Sequence, residues 1–126
     1  MEKFKINIHR ELTLTTQDID DIMVSALEGG INYWCSTAEV VGDYCGEWAS
    51  EQIARGGKLK LYDIESDDVW ELTRATFLTG FRQWFEDGCD RYGAVQPDGT
   101  VETGQIDALM ADMIVQYALF GEVVFG

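Results

Sequence analysis

Apolar and polar residues alternate at the start of the chain, where Phe4, Ile6 and Ile8 are separated by Lys5 and Asn7. An alternation with a period of two is typical of a β-strand that buries one of its faces. The pattern therefore predicts an N-terminal strand whose polar face carries lysine side chains.

The spacing becomes helical after Thr15. Thr15 precedes Asp18 by three residues, which is the spacing of a helix capping box, and Gly29 with Gly30 supplies a stop signal. Apolar side chains between these two signals recur three or four residues apart, namely at Ile19, Ile22, Met23, Ala26 and Leu27. This segment predicts an amphipathic helix with an acidic outer face formed by Asp18, Asp20, Asp21 and Glu28.

The middle of the chain predicts a β-hairpin. Residues 58–62 and 69–72 both alternate between apolar and polar side chains, and a polar segment of six residues separates them. The predicted tip of this hairpin carries four carboxylates, those of Asp63, Glu65, Asp67 and Asp68.

Further helices are predicted on both sides of the hairpin. Residues 47–55 favour a short helix that buries Trp48 and Ile53, whereas residues 31–46 fit either a short strand or a helical turn. Two longer helices follow the hairpin, one after Thr73 and one after Thr103, and residues 123–125 fit either an edge strand or a packed tail.

These elements together predict a single α+β domain that spans residues 1–126. A small, mostly antiparallel sheet, made of the N-terminal strand and the hairpin, is packed by three to four helices. The length of the chain is sufficient for one modest hydrophobic core without disulfides or a structural metal.

Charge changes this picture, because 23 acidic residues face only nine basic ones and the formal net charge is −14. The segment from Glu11 to Ala54 holds nine carboxylates and no lysine or arginine, and the residues after Arg91 hold five and none. A one-sided distribution creates a strong negative field that repels nucleic acid and anionic membranes and attracts basic protein surfaces. Since these carboxylates lie on the polar faces of predicted elements, they predict a rigid charged surface.

Candidate catalytic and metal chemistry is sparse. Cys35, Cys45 and Cys89 do not have the spacing of a zinc site, and His9 is the one histidine. The acidic hairpin tip lacks the glycine that shapes a calcium-binding loop, and no phosphate-binding glycine motif is present. We therefore expect a cytoplasmic protein with reduced cysteines, no metal, no cofactor and no enzymatic activity. We also expect no direct contact with nucleic acid or membrane.

One aromatic cluster, Asn32, Tyr33 and Trp34, leaves two interpretations open. Tyrosine and tryptophan beside asparagine can stack on a nucleobase or anchor a partner protein. The alternative is that these aromatic side chains fill the space between the sheet and the helices in the core.

Three sequence blocks, 28–35, 39–44 and 116–126, resemble a family of small acidic proteins encoded by phages and prophages of gut Firmicutes. The resemblance extends from the predicted helix at Asp18 to the C-terminus. It implies an accessory gene product, for which host takeover and counter-defence are common roles. The family has no assigned activity, so the resemblance implies no catalytic residues.

The sequence therefore predicts a non-catalytic, phage-type accessory protein in the bacterial cytoplasm. It would bind and inhibit a basic, defence-related bacterial protein through acidic surfaces that imitate nucleic acid. The predicted contact residues are Asp18, Asp20, Asp21, Glu28, Asp63, Glu65, Asp67 and Asp68. One alternative is a sponge that sequesters a nucleotide immune signal by stacking it on Asn32, Tyr33 and Trp34, and another is a structural or regulatory phage protein that forms homo-oligomers.

Overall fold

The computed structural model describes all residues from 1 to 126. Three α-helices and three β-strands follow one another along the chain in the order α1 (Thr16–Ser25), β1 (Cys35–Val40), β2 (Leu59–Asp63), β3 (Val69–Leu72), α2 (Arg74–Glu86) and α3 (Ala108–Phe120). A π-helical turn, Ala26–Gly30, extends α1, and short 3-10 turns occupy Ala49–Glu51, Ile53–Arg55 and Thr103–Gln105. The predicted α+β class, a small antiparallel sheet packed by helices, is confirmed.

The three strands form one antiparallel sheet in the order β1-β2-β3. One row across the sheet aligns Ala38, Leu61 and Trp70. The next row aligns Glu39, Lys60 and Glu71. Because neighbouring residues of a strand point to opposite faces, the first row packs on the core and the second faces water. The predicted hairpin is thus confirmed as β2 and β3.

The predicted N-terminal strand is wrong. Residues 1–15 contain no strand, and Phe4, Ile6 and Ile8 are 84%, 83% and 83% exposed. The alternation defines two faces but provides no neighbouring strand, and a strand needs a backbone partner to form a sheet. The third strand is instead β1, whose alternation is weak because only Ala38 and Val40 add apolar side chains at its inner face.

The helices begin and end where local chemistry specifies. Thr15 and Asp18 form the predicted capping box of α1, and Thr73 caps α2. The last helix begins later than predicted, because Asp107 caps it by accepting a hydrogen bond from the backbone N–H of Met110. Gly121 ends this helix with a φ of +74°, a conformation that favours glycine.

A single core lies between the inner face of the sheet and the helices. Its largest fully buried side chains include Trp34, Trp84, Phe77 and Phe81. Helices α2 and α3 pack closely at Gly80, where a Cβ atom would overlap with the backbone of Ala118. None of the helices combines the length and hydropathy that crossing a bilayer requires.

Candidate functional site

The acidic hairpin tip consists of Asp63, Glu65, Asp67 and Asp68 and joins β2 to β3. Asp63 organises this turn, since its carboxylate accepts hydrogen bonds from the backbone N–H of Glu65 and from the hydroxyl of Ser66, both at 2.9 Å. Its own backbone N–H donates to the carbonyl of Asp68 at 3.0 Å. The turn is therefore held in one conformation by its own side chains.

The other three acids of the tip point their charge at solvent. Glu65, Asp67 and Asp68 are exposed, and their carboxylates form neither a hydrogen bond nor an ion pair. Three free negative charges thus lie on a short, ordered turn, where nothing in the chain neutralises them.

A depression of about 470 Å³ lies beside the tip, on the outer face of the sheet. Glu39, Asp63 and Asp67 contribute carboxylates to its lining. The hydroxyl of Tyr62 donates to Glu39 at 3.1 Å, and this hydrogen bond is the main cause that raises the pKa of Tyr62. The depression is consequently acidic and suited to a cationic side chain.

The acids predicted on the first helix have more varied positions. Asp18 accepts a hydrogen bond from the backbone N–H of Thr15 in the helix cap. Asp21 accepts from Gln17 at 2.7 Å and from Thr103 at 2.8 Å. Both carboxylates therefore have structural partners and are less available to another protein than those of the hairpin tip.

The expected exposed position of Asp20 is wrong. Asp20 is only 7% exposed, and both of its carboxylate oxygens accept hydrogen bonds from Arg55, at 3.0 and 3.1 Å. The helix turns this side chain toward the segment that follows Trp48, because α1 packs against the Ile53–Arg55 turn. Asp20 is thus removed from the predicted contact surface.

Glu28 is exposed and makes no hydrogen bond or ion pair. It lines a separate depression of about 440 Å³ together with Val24, Leu27 and Trp48. This depression shares no lining residue with the one beside the hairpin tip. The predicted acids therefore form more than one patch.

Ion pairs neutralise little of the net charge. Only four of the 23 acidic residues lie within ion-pair distance of a base, and these are Asp20, Glu51, Glu71 and Glu86. Three of the four pairs involve at least partly exposed side chains, in which screening by water leaves only a modest stabilisation. Most of the negative charge consequently remains available to an external partner.

Within the aromatic cluster, Trp34 is part of the core, as the second interpretation of the sequence proposed. Trp34 is 2% exposed, and its ring stacks on Phe125 with centroids 5.0 Å apart and an interplanar angle of 6°. Its indole N–H donates to Asp112 at 2.8 Å. The stacking role predicted for Trp34 is therefore wrong, because another ring of the chain already covers its face.

Tyr33 and Asn32 lie at the edge of the same region. The hydroxyl of Tyr33 donates to Asp112 at 2.6 Å although half of the residue is exposed. Burial, followed by this hydrogen bond, raises the pKa of Tyr33 to about 12. Asn32 is exposed and lines a depression next to β1 to which Trp34 does not contribute.

Two residues that the sequence analysis missed complete this network. Gln116 donates to Asp112 at 2.9 Å, and its carbonyl accepts from the backbone N–H groups of Val124 and Phe125, both at 2.8 Å. We call the set Tyr33, Trp34, Asp112, Gln116 and Phe125 the C-terminal latch. Its sequence signal is a pair of polar residues, four positions apart, inside an otherwise apolar helix.

The cysteines do not form a site. Cys35, Cys45 and Cys89 are all free, and burial raises the pKa of the Cys35 thiol. No group of three or more histidine, cysteine or acidic side chains has an arrangement that would hold a metal ion.

The short helix predicted at residues 47–55 is replaced by two 3-10 turns that bury only one of the two expected side chains. Ile53 is fully buried, whereas Trp48 is 63% exposed. An exposed tryptophan beside a depression is a common feature of protein interfaces.

Comparisons with known proteins add no functional information. No protein-family model, curated protein or solved structure matches the chain at a significant level. The geometry of the chain's own residues is therefore the basis for a functional proposal.

Proposed function

We propose that this protein is a phage-type accessory protein that binds a basic bacterial protein through its acidic hairpin tip and inhibits it by occupying a nucleic-acid-binding groove. The observation that carries the proposal is the set of three unpartnered carboxylates, Glu65, Asp67 and Asp68, on an ordered turn. The adjacent acidic depression adds Glu39 and Asp63 to the same surface.

Electrostatic complementarity is the physical basis of this binding. A groove that binds nucleic acid presents lysine and arginine side chains, and clustered carboxylates can interact with them in place of phosphate groups. Such complementarity accelerates association and discriminates against acidic partners. The large unpaired negative charge of the whole chain acts in the same direction.

Preorganisation supports the choice of the tip over other acidic residues. The hydrogen bonds of Asp63 already fix the turn before a partner arrives, so little conformational entropy is lost when its neighbours bind. Glu28 is equally free, but it lies beside an apolar depression and not within an acidic cluster.

No comparable observation favours the alternative function, in which the protein sequesters a nucleotide. Its proposed stacking residue, Trp34, is covered by Phe125, and the hydroxyl of Tyr33 is held by Asp112. A binding protein is therefore the better-supported function.

The test uses a triple variant, Glu65→Gln, Asp67→Asn and Asp68→Asn, which removes the free charges of the tip while preserving side-chain size. The matched control is Glu11→Gln, Glu102→Gln and Glu122→Gln, since these three acids are also exposed and unpartnered. Both variants lose three negative charges, so they differ only in where the charge is removed.

The immobilised proteins are exposed to bacterial lysate at low salt, and bound proteins are identified by mass spectrometry. We expect the wild-type protein and the control to retain a basic, nucleic-acid-binding protein that double-stranded DNA displaces. The tip variant should retain much less of it. Equal retention by the two variants, or a partner that DNA does not displace, would contradict the proposal.

A further inference from the structure

The first ten residues form an N-terminal arm whose apolar side chains have no packing partner in their own chain. Phe4, Ile6 and Ile8 are all more than 80% exposed, yet their alternation with polar residues is that of a β-strand. The first backbone hydrogen bond that ties this end of the chain to the rest joins Thr13 to Gly99. The arm therefore has the pattern of a strand and lacks a sheet.

The charge of the N-terminal arm is opposite to that of the remainder. Residues 1–10 contain three lysine or arginine residues and one acid, whereas residues 11–126 contain six and 22. Basic and acidic parts of one chain attract each other when two copies meet.

The sheet offers a free edge that fits such an arm. Strand β2 lies on one side of β1, and no strand lies on the other. An unpaired edge exposes backbone donors and acceptors that a further strand can satisfy. The six residues of β1 match the length of the alternating segment, residues 3–8.

An apolar groove runs beside this edge. A depression of about 250 Å³ next to β1 and the depression of about 440 Å³ beside Trp48 share Leu27 and Ala49 in their linings. We call this surface the edge groove, and its apolar residues are Val24, Leu27, Ile31, Cys35, Ala38, Trp48 and Ala49.

Acidic side chains surround the edge groove, and their negative charge is opposite to the net charge of the N-terminal arm. Glu28 lies in its lining, and Glu47 is exposed next to Trp48 with a carboxylate that makes no contact. Glu39 stands on the outer face of β1. A strand added at this edge with its apolar residues toward the groove would place its polar residues on the same outer face as Glu39.

We propose that the N-terminal arm of a second copy of this chain adds to the free edge of β1. Phe4, Ile6 and Ile8 enter the edge groove, and Lys5 faces Glu39 across the new strand pair. This is strand addition, in which backbone hydrogen bonds provide affinity and alternate side chains provide specificity. Reciprocal exchange of the two arms closes a symmetric homodimer.

The edge groove is better placed for the arm of a second copy than for the arm of the same chain. The root of the arm is held on the side of α2, where Arg10 donates to the carbonyl of Gln96 and lies 5.6 Å from the ring of Phe85. The arm then leaves the body without contacting the edge groove. Glu39 lines the depression beside the hairpin tip and also takes part in the dimer, but the dimer does not use Glu65, Asp67 or Asp68. Substitutions of Phe4, Ile6 and Ile8 therefore test the dimer without changing the acidic surface of the proposed function.

The test is the mass in solution of the full chain, measured by light scattering and sedimentation over a range of concentrations. We expect twice the chain mass of 14.2 kDa. The variant Phe4→Ser, Ile6→Ser, Ile8→Ser should be a folded monomer, because these side chains do not pack in the core of their own chain. Its unfolding midpoint should not depend on protein concentration, whereas that of the wild type should rise with concentration. A wild-type monomer at all concentrations, including one that inserts its own arm, would overturn the proposal.

A charge exchange tests the register. Lys5→Glu or Glu39→Lys alone should weaken dimerisation by roughly two- to fivefold, and the two together should restore it. A dimer that survives the serine substitutions, or a double variant no better than either single one, would also overturn the proposal.

Discussion

Asp112 is the residue on which the C-terminal latch depends. Its buried carboxylate receives hydrogen bonds from Tyr33, Trp34 and Gln116, so three donors converge on one side chain. A buried charge with several hydrogen-bond donors is stable, whereas each donor left without an acceptor is costly. The sequence shows only two polar residues in an apolar helix, and this pair does not reveal that the C-terminal tail folds back onto the helix.

We predict that Asp112→Ala lowers the free energy of unfolding by about 2–5 kcal/mol, because it leaves buried polar groups without partners. Urea denaturation followed by tryptophan fluorescence measures this change. The control is Asp43→Ala, at an exposed carboxylate without a partner, which should change stability by less than about 0.5 kcal/mol. Equal effects of the two substitutions would contradict a stabilising role of Asp112 in the C-terminal latch.

Tyr33 provides a pH test of the same network. Burial and the hydrogen bond to Asp112 raise its pKa from 10.0 to about 12, because both disfavour the phenolate. The unfolded chain releases this proton at lower pH than the folded chain, so the stabilising contribution is complete below pH 10 and declines as the pH rises toward 12.

Ultraviolet titration of the folded protein should therefore show a tyrosine that ionises near pH 12 and disappears in Tyr33→Phe. The same substitution should reduce the loss of stability between pH 10 and 12. If Tyr33 ionised at its ordinary pKa, its hydroxyl would not be held by Asp112 as described.

At the scale of elements, the parts of the fold with local signals are predictable from sequence. The capping box at Thr15 and Asp18 and the alternation in β2 and β3 depend on residues a few positions apart, and the structure confirms them. The local pattern leaves β1 open between a strand and a helical turn and wrongly predicts a strand in the N-terminal arm, because strand formation depends on a distant partner. The two segments differ in whether β2 lies beside them, which their own patterns do not encode.

The acidic residues likewise include some whose position follows from the local sequence and some whose position does not. The hairpin tip was predictable because a polar segment between two strands must be a turn. The burial of Asp20 was not, since it depends on Arg55, which lies 35 positions later. The edge groove is not evident from the sequence, because the pattern of residues 47–55 predicts a short helix that buries Trp48.

The α2–α3 contact gives a prediction at this scale. Alanine is favoured over glycine in a helix by about 1 kcal/mol, but a Cβ at Gly80 would overlap with the backbone of Ala118. We therefore expect Gly80→Ala to destabilise the fold by about 1–3 kcal/mol in thermal or urea unfolding. The control is Gly104→Ala, where a Cβ meets nothing within 4 Å. A stabilised Gly80→Ala variant would show that the two helices are not in close contact.

At the scale of the molecule, the negative charge is anchored to a compact scaffold. The hairpin tip extends from a sheet whose inner face is fixed by the core, so its carboxylates hold positions that a flexible acidic tail would not. The edge groove adjoins the acidic depression beside the tip, since Ser36 and Thr37 line both. One chain thus combines a proposed surface for a basic partner with a proposed surface for its own copy.

The dependence of partner binding on salt tests the central proposal most directly. Screening shortens the reach of charges from about 10 Å at 0.1 M to about 3 Å at 1 M ionic strength. With the partner captured from lysate, we predict that the Kd of the wild-type protein and of the Glu11, Glu102, Glu122 control rises steeply with salt. The Glu65, Asp67, Asp68 variant should bind weakly at low salt and show a much shallower dependence. A wild-type Kd that stays constant with salt, or a tip variant that follows the wild type, would contradict recognition through the hairpin tip.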